Sequence, residues 1–191
     1  MSRKTIHEQL RTDVYPMCLN LMKKGMEIEA YVIILSTWNF ASFRYAMRTF
    51  DLKRFKRTLV KIEPLYKKFE NLNFKTIEID EYSREIKKIY SELYKYKGVK
   101  ITGTPKLMHL KLPKLFVMWD DRIRKHYGFS KGDAEDYLNF LKLMQEIFKN
   151  CNPRKGMTLA RTIDLINMEN ITEKTIDSEK LHKIFPTPGV S

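Results

Sequence analysis

The amino-acid sequence predicts an all-α domain. Helical periodicity runs through most of the 191 residues. Only seven glycines and seven prolines punctuate it, which suits long helices with short connections. Capping residues recur where the apolar stripes begin and end.

Taken in order, Thr5 to Lys24 reads as a helix that Pro16 breaks or restarts and Gly25 ends. Glu27 to Thr37, "EIEAYVIILST", reads as a buried helix, although its β-branched run also suits a strand. Asn39 is a candidate cap for a helix over Phe40 to Phe50. Asp51 caps the next, with Leu52, Phe55, Leu59 and Ile62 on one face and a kink expected at Pro64. "FKTIEID", Phe74 to Asp80, reads as a loop or an extended connection. Asp80 then opens a helix to about Lys97 with a stripe of Tyr82, Ile86, Ile89, Leu93 and Tyr96, and Gly98 stops it. Thr104 is the expected N-cap of a short helix with Pro105 at its first position, and a second short helix is expected near Leu115. Ser130 to Asp133 reads as a capping box for a helix that turns Tyr137, Phe140, Leu141, Met144, Ile147 and Phe148 inward. A last helix covers Met157 to Met168, and "FPTPGVS" forms a frayed or extended tail. The length suits a single domain over 1–191, open to a division into two lobes about a cleft.

The net charge is +13, and the excess is concentrated. Residues 97–114 hold five lysines and no acid, while 53–68 hold seven basic residues against one acid. Such density suits a polyanion, most simply nucleic acid, because each phosphate contact releases counterions. No apolar run is long enough for a membrane span, and "MSRKTIHEQL" lacks a signal-peptide core, so a cytoplasmic protein without a membrane partner is expected. The two cysteines, Cys18 and Cys151, are too few for a zinc or iron–sulfur site, so neither a metal nor another cofactor is expected; the bland reading is buried thiols, with a disulfide left open.

The turn between the helix ending at Gly98 and the one expected at Thr104 is a ready anion site, with Lys97 and Lys100 beside it. Lys97, Gly98, Lys100, Thr102, Gly103 and Thr104 are therefore the candidate nucleic-acid-binding residues. They would grip backbone phosphate without reading sequence. Lys106 would lie at the second helical position, where the macrodipole disfavours an ammonium. A neutral amine is what attack on an electrophilic carbon requires. Asp120, fourteen residues on, could return into the same cleft as a stabilising or proton-shuttling carboxylate. Against this stand the ordinary readings of a solvated lysine and a helix-capping aspartate.

Three segments, in order, resemble the helix–hairpin–helix DNA glycosylases, the base-excision superfamily of endonuclease III and 8-oxoguanine DNA glycosylase. "YVIILSTWNFASFRYAM" is similar to the helix, turn and helix that present a polar side chain to DNA, with Asn39 at the turn. "KGVKITGTPKLMHL" resembles the hairpin, with Lys106 near the Schiff-base lysine of bifunctional members. "FVMWDDRI" resembles the segment of the catalytic aspartate, matched here by Asp120. The likeness covers about residues 27–150 and leaves 151–191 as a C-terminal helical extension. It implies damaged, double-stranded DNA as partner and base excision, with lyase activity through Lys106. Trp38, Asn39 and Trp119 are the candidate base-pocket residues; Phe43 and His109 read more simply as packed side chains. The alternative function is a helical nucleic-acid-binding protein that uses the basic hairpin without chemistry.

Overall fold

The computed structural model describes residues 6–172, with side chains described for 13–171. Every regular element among them is helical: α1 Ile6–Lys23, α2 Glu27–Trp38, α3 Phe40–Ala46, α4 Leu52–Lys67, α5 Ser83–Tyr94, α6 Lys100–Lys111, α7 Asp121–His126, α8 Ala134–Ile147 and α9 Leu159–Thr172, with a 3-10 turn at Met47–Thr49. The tail "FPTPGVS" lies outside the described residues. None of the described helices is long and apolar enough to cross a membrane. Both cysteines are free thiols, Cys18 buried and Cys151 half-buried.

One continuous apolar core runs from Val14 on α1 to Ile163 on α9. The central element is α6, which packs against α1, α2 and α5; α8 closes on α5, and α9 on α7. The stripe expected on α4 is buried as Phe55, Leu59 and Ile62, and Asp51 caps this helix through the Arg54 amide. In the connection 74–80, Phe74, Ile77 and Ile79 are buried. It is fastened to α8 by Gln145, whose Nε2 donates to the carbonyls of Phe74 and Ile77 at 2.7 and 2.9 Å.

Several boundaries depart from the sequence reading. The most consequential is α6, which begins at Lys100 and not at Thr104. Pro105 lies inside it, where its missing N–H deprives the Ile101 carbonyl of a helical partner. That carbonyl accepts instead from Trp119 Nε1 at 3.1 Å and from the Tyr90 hydroxyl at 3.4 Å. A tertiary contact therefore relieves the proline. Thr104 is not a cap: its hydroxyl donates to the Lys100 carbonyl, 2.7 Å away, and the residue is buried. Lys106 consequently sits in the second turn, and the helix-end argument about its charge does not apply.

The helix expected near Leu115 is absent. Residues 116–120 are non-helical, with Leu115 to Trp119 buried, and α7 starts only after Asp120. Ser130 does not cap α8; Asp133 does, accepting from the amides of Glu135 and Asp136, while Asp136 reaches back to the Gly132 amide. Asn39 makes no capping bond to α3, because its side chain is used elsewhere. Pro16 and Pro64 lie within unbroken helices. Gly98 has φ +91°, as a helix-stopping glycine should, but α5 ends earlier, at Tyr94.

Candidate active site

The hairpin between α5 and α6 is held from below by Asn39. This residue is 5% exposed. Its Nδ2 donates to the carbonyls of Gly98 and Val99 at 2.6 and 3.3 Å, and its Oδ1 accepts from the Thr102 hydroxyl at 2.6 Å. Gly103 completes the clamp: a Cβ there would come within 2.9 Å of Asn39 Nδ2 and 3.0 Å of Leu35 Cδ2. Asn39, Gly98, Thr102 and Gly103 thus form one unit. Above it Lys97 and Lys100 are exposed. Lys100 has φ +46°, a costly conformation for a residue with a Cβ, and its Nζ lies 5.0 Å from the centre of the Tyr94 ring.

Lys106 points from α6 into a second cluster. It is 8% exposed, and its Nζ donates to the Thr102 carbonyl one turn back, at 3.1 Å. Asp120 caps α7: its Oδ1 accepts from the amides of Arg122 and Ile123, both at 2.9 Å. The link between these two residues is Asp164 on α9, a buried carboxylate ion-paired with Arg161. Burial lifts the Asp164 carboxyl to about 6; Arg161 and Lys106 pull it down, and Asp120 pushes it up. Lys106, Asp120 and Arg161 therefore form one charge cluster about Asp164.

An aromatic wall borders it. The rings of Tyr15 and Trp38 stack at 5.7 Å and 13°. The Arg161 guanidinium lies over both, 4.7 Å from the centre of Tyr15 and 4.9 Å from that of Trp38. Below it, His109 is fully buried, with Nδ1 2.5 Å from the Phe116 carbonyl and Nε2 2.6 Å from the Tyr15 hydroxyl. A carbonyl only accepts, so Nδ1 carries the proton and Nε2 takes the Tyr15 hydrogen bond. Burial, helped by Arg161, pushes the His109 pKa down to about 4 and keeps the ring neutral.

Of the sequence candidates, Lys106, Asp120 and Trp38 come together. Asn39 lies in the hairpin clamp and is linked to Lys106 only through Thr102, whose hydroxyl donates to Asn39 and whose carbonyl accepts from Lys106. Trp119 is 1% exposed and packs among Tyr90, Phe129, Tyr137 and Phe140 in the core. In the acid-free segment 97–114, Lys97, Lys100 and Lys114 are exposed, whereas residues 103–110 are buried. Sequence reasoning missed Tyr15, Arg161 and Asp164. A signal for the last two exists: they are the only charged residues in "TLARTIDLINM", spaced to share one helix face.

The basic density of 53–68 forms the outer face of α4. Arg54, Arg57, Thr58 and Lys61 line a recess of about 310 Å³ with Lys95, Tyr96 and Glu92. Burial alone would raise the Glu92 carboxyl, but hydrogen bonds from Lys95, Lys61 and Lys88 outweigh it and hold it at about 2. Lys95 and Tyr96 lead directly into the hairpin lysines. Among the described residues no cluster of three or more His, Cys, Asp or Glu side chains is placed to hold a metal ion. Comparison with known proteins finds no matching family model, no matching curated protein and no matching solved structure.

Proposed function

We propose that this chain is a base-excision DNA glycosylase, with lyase activity through Lys106, acting on damaged duplex DNA. One observation carries the reading: the charges of Lys106 and Asp120 both act on the buried Asp164 carboxylate, so an amine and two carboxylates form one charge cluster. The amine attacks the sugar C1′ while Asp120, whose carboxylate is oriented by two amide hydrogen bonds, stabilises the positive charge that develops there. The Tyr15–Trp38 pair supplies an aromatic face on which an extruded base stacks. The exposed lysines of the hairpin and the α4 face supply phosphate contacts on either side of Tyr96. The test is borohydride trapping on abasic and lesion-bearing duplexes: a covalent protein–DNA adduct supports the reading, and its absence from every duplex refutes it.

A helical nucleic-acid-binding protein without chemistry is the second reading. It is favoured by the state of the pocket, where Arg161 covers both aromatic faces and Lys106 turns back to the Thr102 carbonyl. Salt-dependent DNA binding without any adduct would select it.

A further inference from the structure

Among the described residues only two aromatic side chains are exposed, Phe40 at 50% and Tyr45 at 67%, and both stand on α3. Arg44 lies between them. Its guanidinium is 5.7 Å from the centre of the Phe40 ring and 4.5 Å from that of Tyr45, and its Nη2 donates to the Tyr45 hydroxyl at 2.6 Å. Single exposed apolar side chains need no explanation, whereas a contiguous group marks an interaction site. The buried side of α3 fixes this group beside the basic hairpin. Phe43 and Ala46 lie on that side. A Cβ on Gly98 would come within 2.6 Å of the Ala46 Cβ and 3.4 Å of the Phe43 Cα, so the two backbones touch. Asn39, directly before α3, holds the carbonyls of Gly98 and Val99. Lys97 and Lys100, on either side of these two residues, are exposed, and so is Arg48 after α3. Residues 30–50 and 93–119 contain no acid, and Asp51, next in the chain, is engaged in capping α4.

We propose that α3 and the hairpin form a binding surface for single-stranded nucleic acid, on which Phe40, Arg44 and Tyr45 stack against unpaired bases while Arg48, Lys97 and Lys100 hold backbone phosphate. The proposal rests on nucleic-acid binding, which both readings above share, and not on the chemistry of Lys106. A duplex keeps its base faces stacked on one another, so an exposed ring meets a base face only on an unpaired nucleotide. Aromatic rings, a guanidinium plane and interleaved cations are what a single strand, with its bases and its phosphates both open, can use together. A second copy of this chain fits the surface poorly, because it would set these cations against their own equivalents. The ordinary alternative is that Arg44 covers two surface rings and nothing binds there.

The test measures binding of the full chain to an undamaged oligothymidine strand and to a strand of equal length that has the same sugars and phosphates but no bases. Wild type should bind oligothymidine about tenfold more tightly, the effect of one stacked base or a little more. Phe40→Ala with Tyr45→Ala should abolish that preference and leave the salt slope unchanged, because no cation is lost. Phe40→Tyr with Tyr45→Phe keeps the rings and should keep the preference. Lys97→Ala with Lys100→Ala should flatten the slope and keep the preference. Circular dichroism checks that each variant folds, as changes at exposed side chains allow. Equal binding of the two strands by wild type, no binding of either, or a preference that survives loss of both rings overturns the proposal. Wild type that prefers neither strand but binds vesicles of phosphatidylcholine and phosphatidylglycerol, or self-associates, and loses this with the rings, overturns it in favour of a membrane or a second copy. No lesion and no borohydride enters these measurements. A protein that prefers oligothymidine but forms no covalent adduct on any duplex would sink the glycosylase reading and leave this surface standing; an adduct with equal strand binding would do the reverse.

Discussion

Trp119 Nε1 donates to the Ile101 carbonyl, the one that Pro105 leaves without a helical donor. This bond carries the extended segment before Asp120 onto the helix that bears Lys106. Its loss should be costly because the carbonyl is left with a weaker partner, Tyr90, at 3.4 Å. Trp119→Phe is expected to destabilise the fold by about 1–3 kcal/mol in urea unfolding. In a Pro105→Ala background the restored amide should satisfy Ile101, and the penalty of Trp119→Phe should shrink. Additive penalties would show that the indole serves packing alone.

Gly103 offers a second test, in which two effects oppose each other. Alanine in a helix interior gains about 1 kcal/mol over glycine. Here the added methyl would meet Asn39 Nδ2 at 2.9 Å and Leu35 at 3.0 Å, and both neighbours are held. Gly103→Ala should therefore destabilise on balance, and Asn39→Ala should cost about 1–3 kcal/mol by orphaning Thr102 and the hairpin carbonyls. A stabilised Gly103→Ala would contradict the clamp.

These contacts show where the sequence was readable and where it was not. Asp51 and the α4 stripe at Phe55, Leu59 and Ile62 follow from local chemistry and stand as read, whereas Leu52, read on the same face, is exposed. The start of α6 was misread because Thr104-Pro105 is a strong local signal for a helix N-terminus, and a contact fourteen residues further on overrides it. Ser130 failed as a cap because Asp133, three residues later, is an equally good one. Spacing and resemblance single out Lys106 and Asp120 as candidates, but not Asp164. Its ion-pair partner Arg161 is local, but Asp120 and Lys106 lie on other elements, and only folding brings α9 against α7.

Acid titration separates two buried groups. The His109 folded pKa, about 4, lies below its ordinary value of 6.5. Its contribution to stability is full above 6.5 and is lost as pH falls to about 4. Asp164 runs the other way: its folded pKa, about 6, lies above 3.8, so its contribution is full below 3.8 and is lost as pH rises through about 6. The two limbs nearly cancel in wild type. Asp164→Asn should uncover the His109 limb, a steeper loss of about 3 kcal/mol relative to wild type between about pH 6 and pH 4. Parallel stability curves for the two proteins would refute this.

Binding should depend on charge by location. Replacing Lys97 and Lys100 with alanine is expected to weaken DNA binding about equally for all sequences and to flatten the salt slope by about one to two units. Arg54→Ala with Arg57→Ala should do the same if duplex DNA follows the α4 face. The control removes Lys142 and Lys149, two basic side chains on α8 and just after it, for the same change in net charge. Equal loss in the control would mean that net charge, not a track, binds DNA.

The central claim is that Lys106 is a nucleophile. Borohydride trapping of wild type and Lys106→Gln on a panel of abasic and lesion-bearing duplexes tests it most directly, with DNA affinity measured alongside. The account predicts a covalent adduct for wild type on at least one duplex and none for Lys106→Gln, at nearly unchanged affinity. Asp120→Asn should slow excision by about two to four orders of magnitude. No adduct from wild type on any duplex, or equal trapping by Lys106→Gln, would contradict the account.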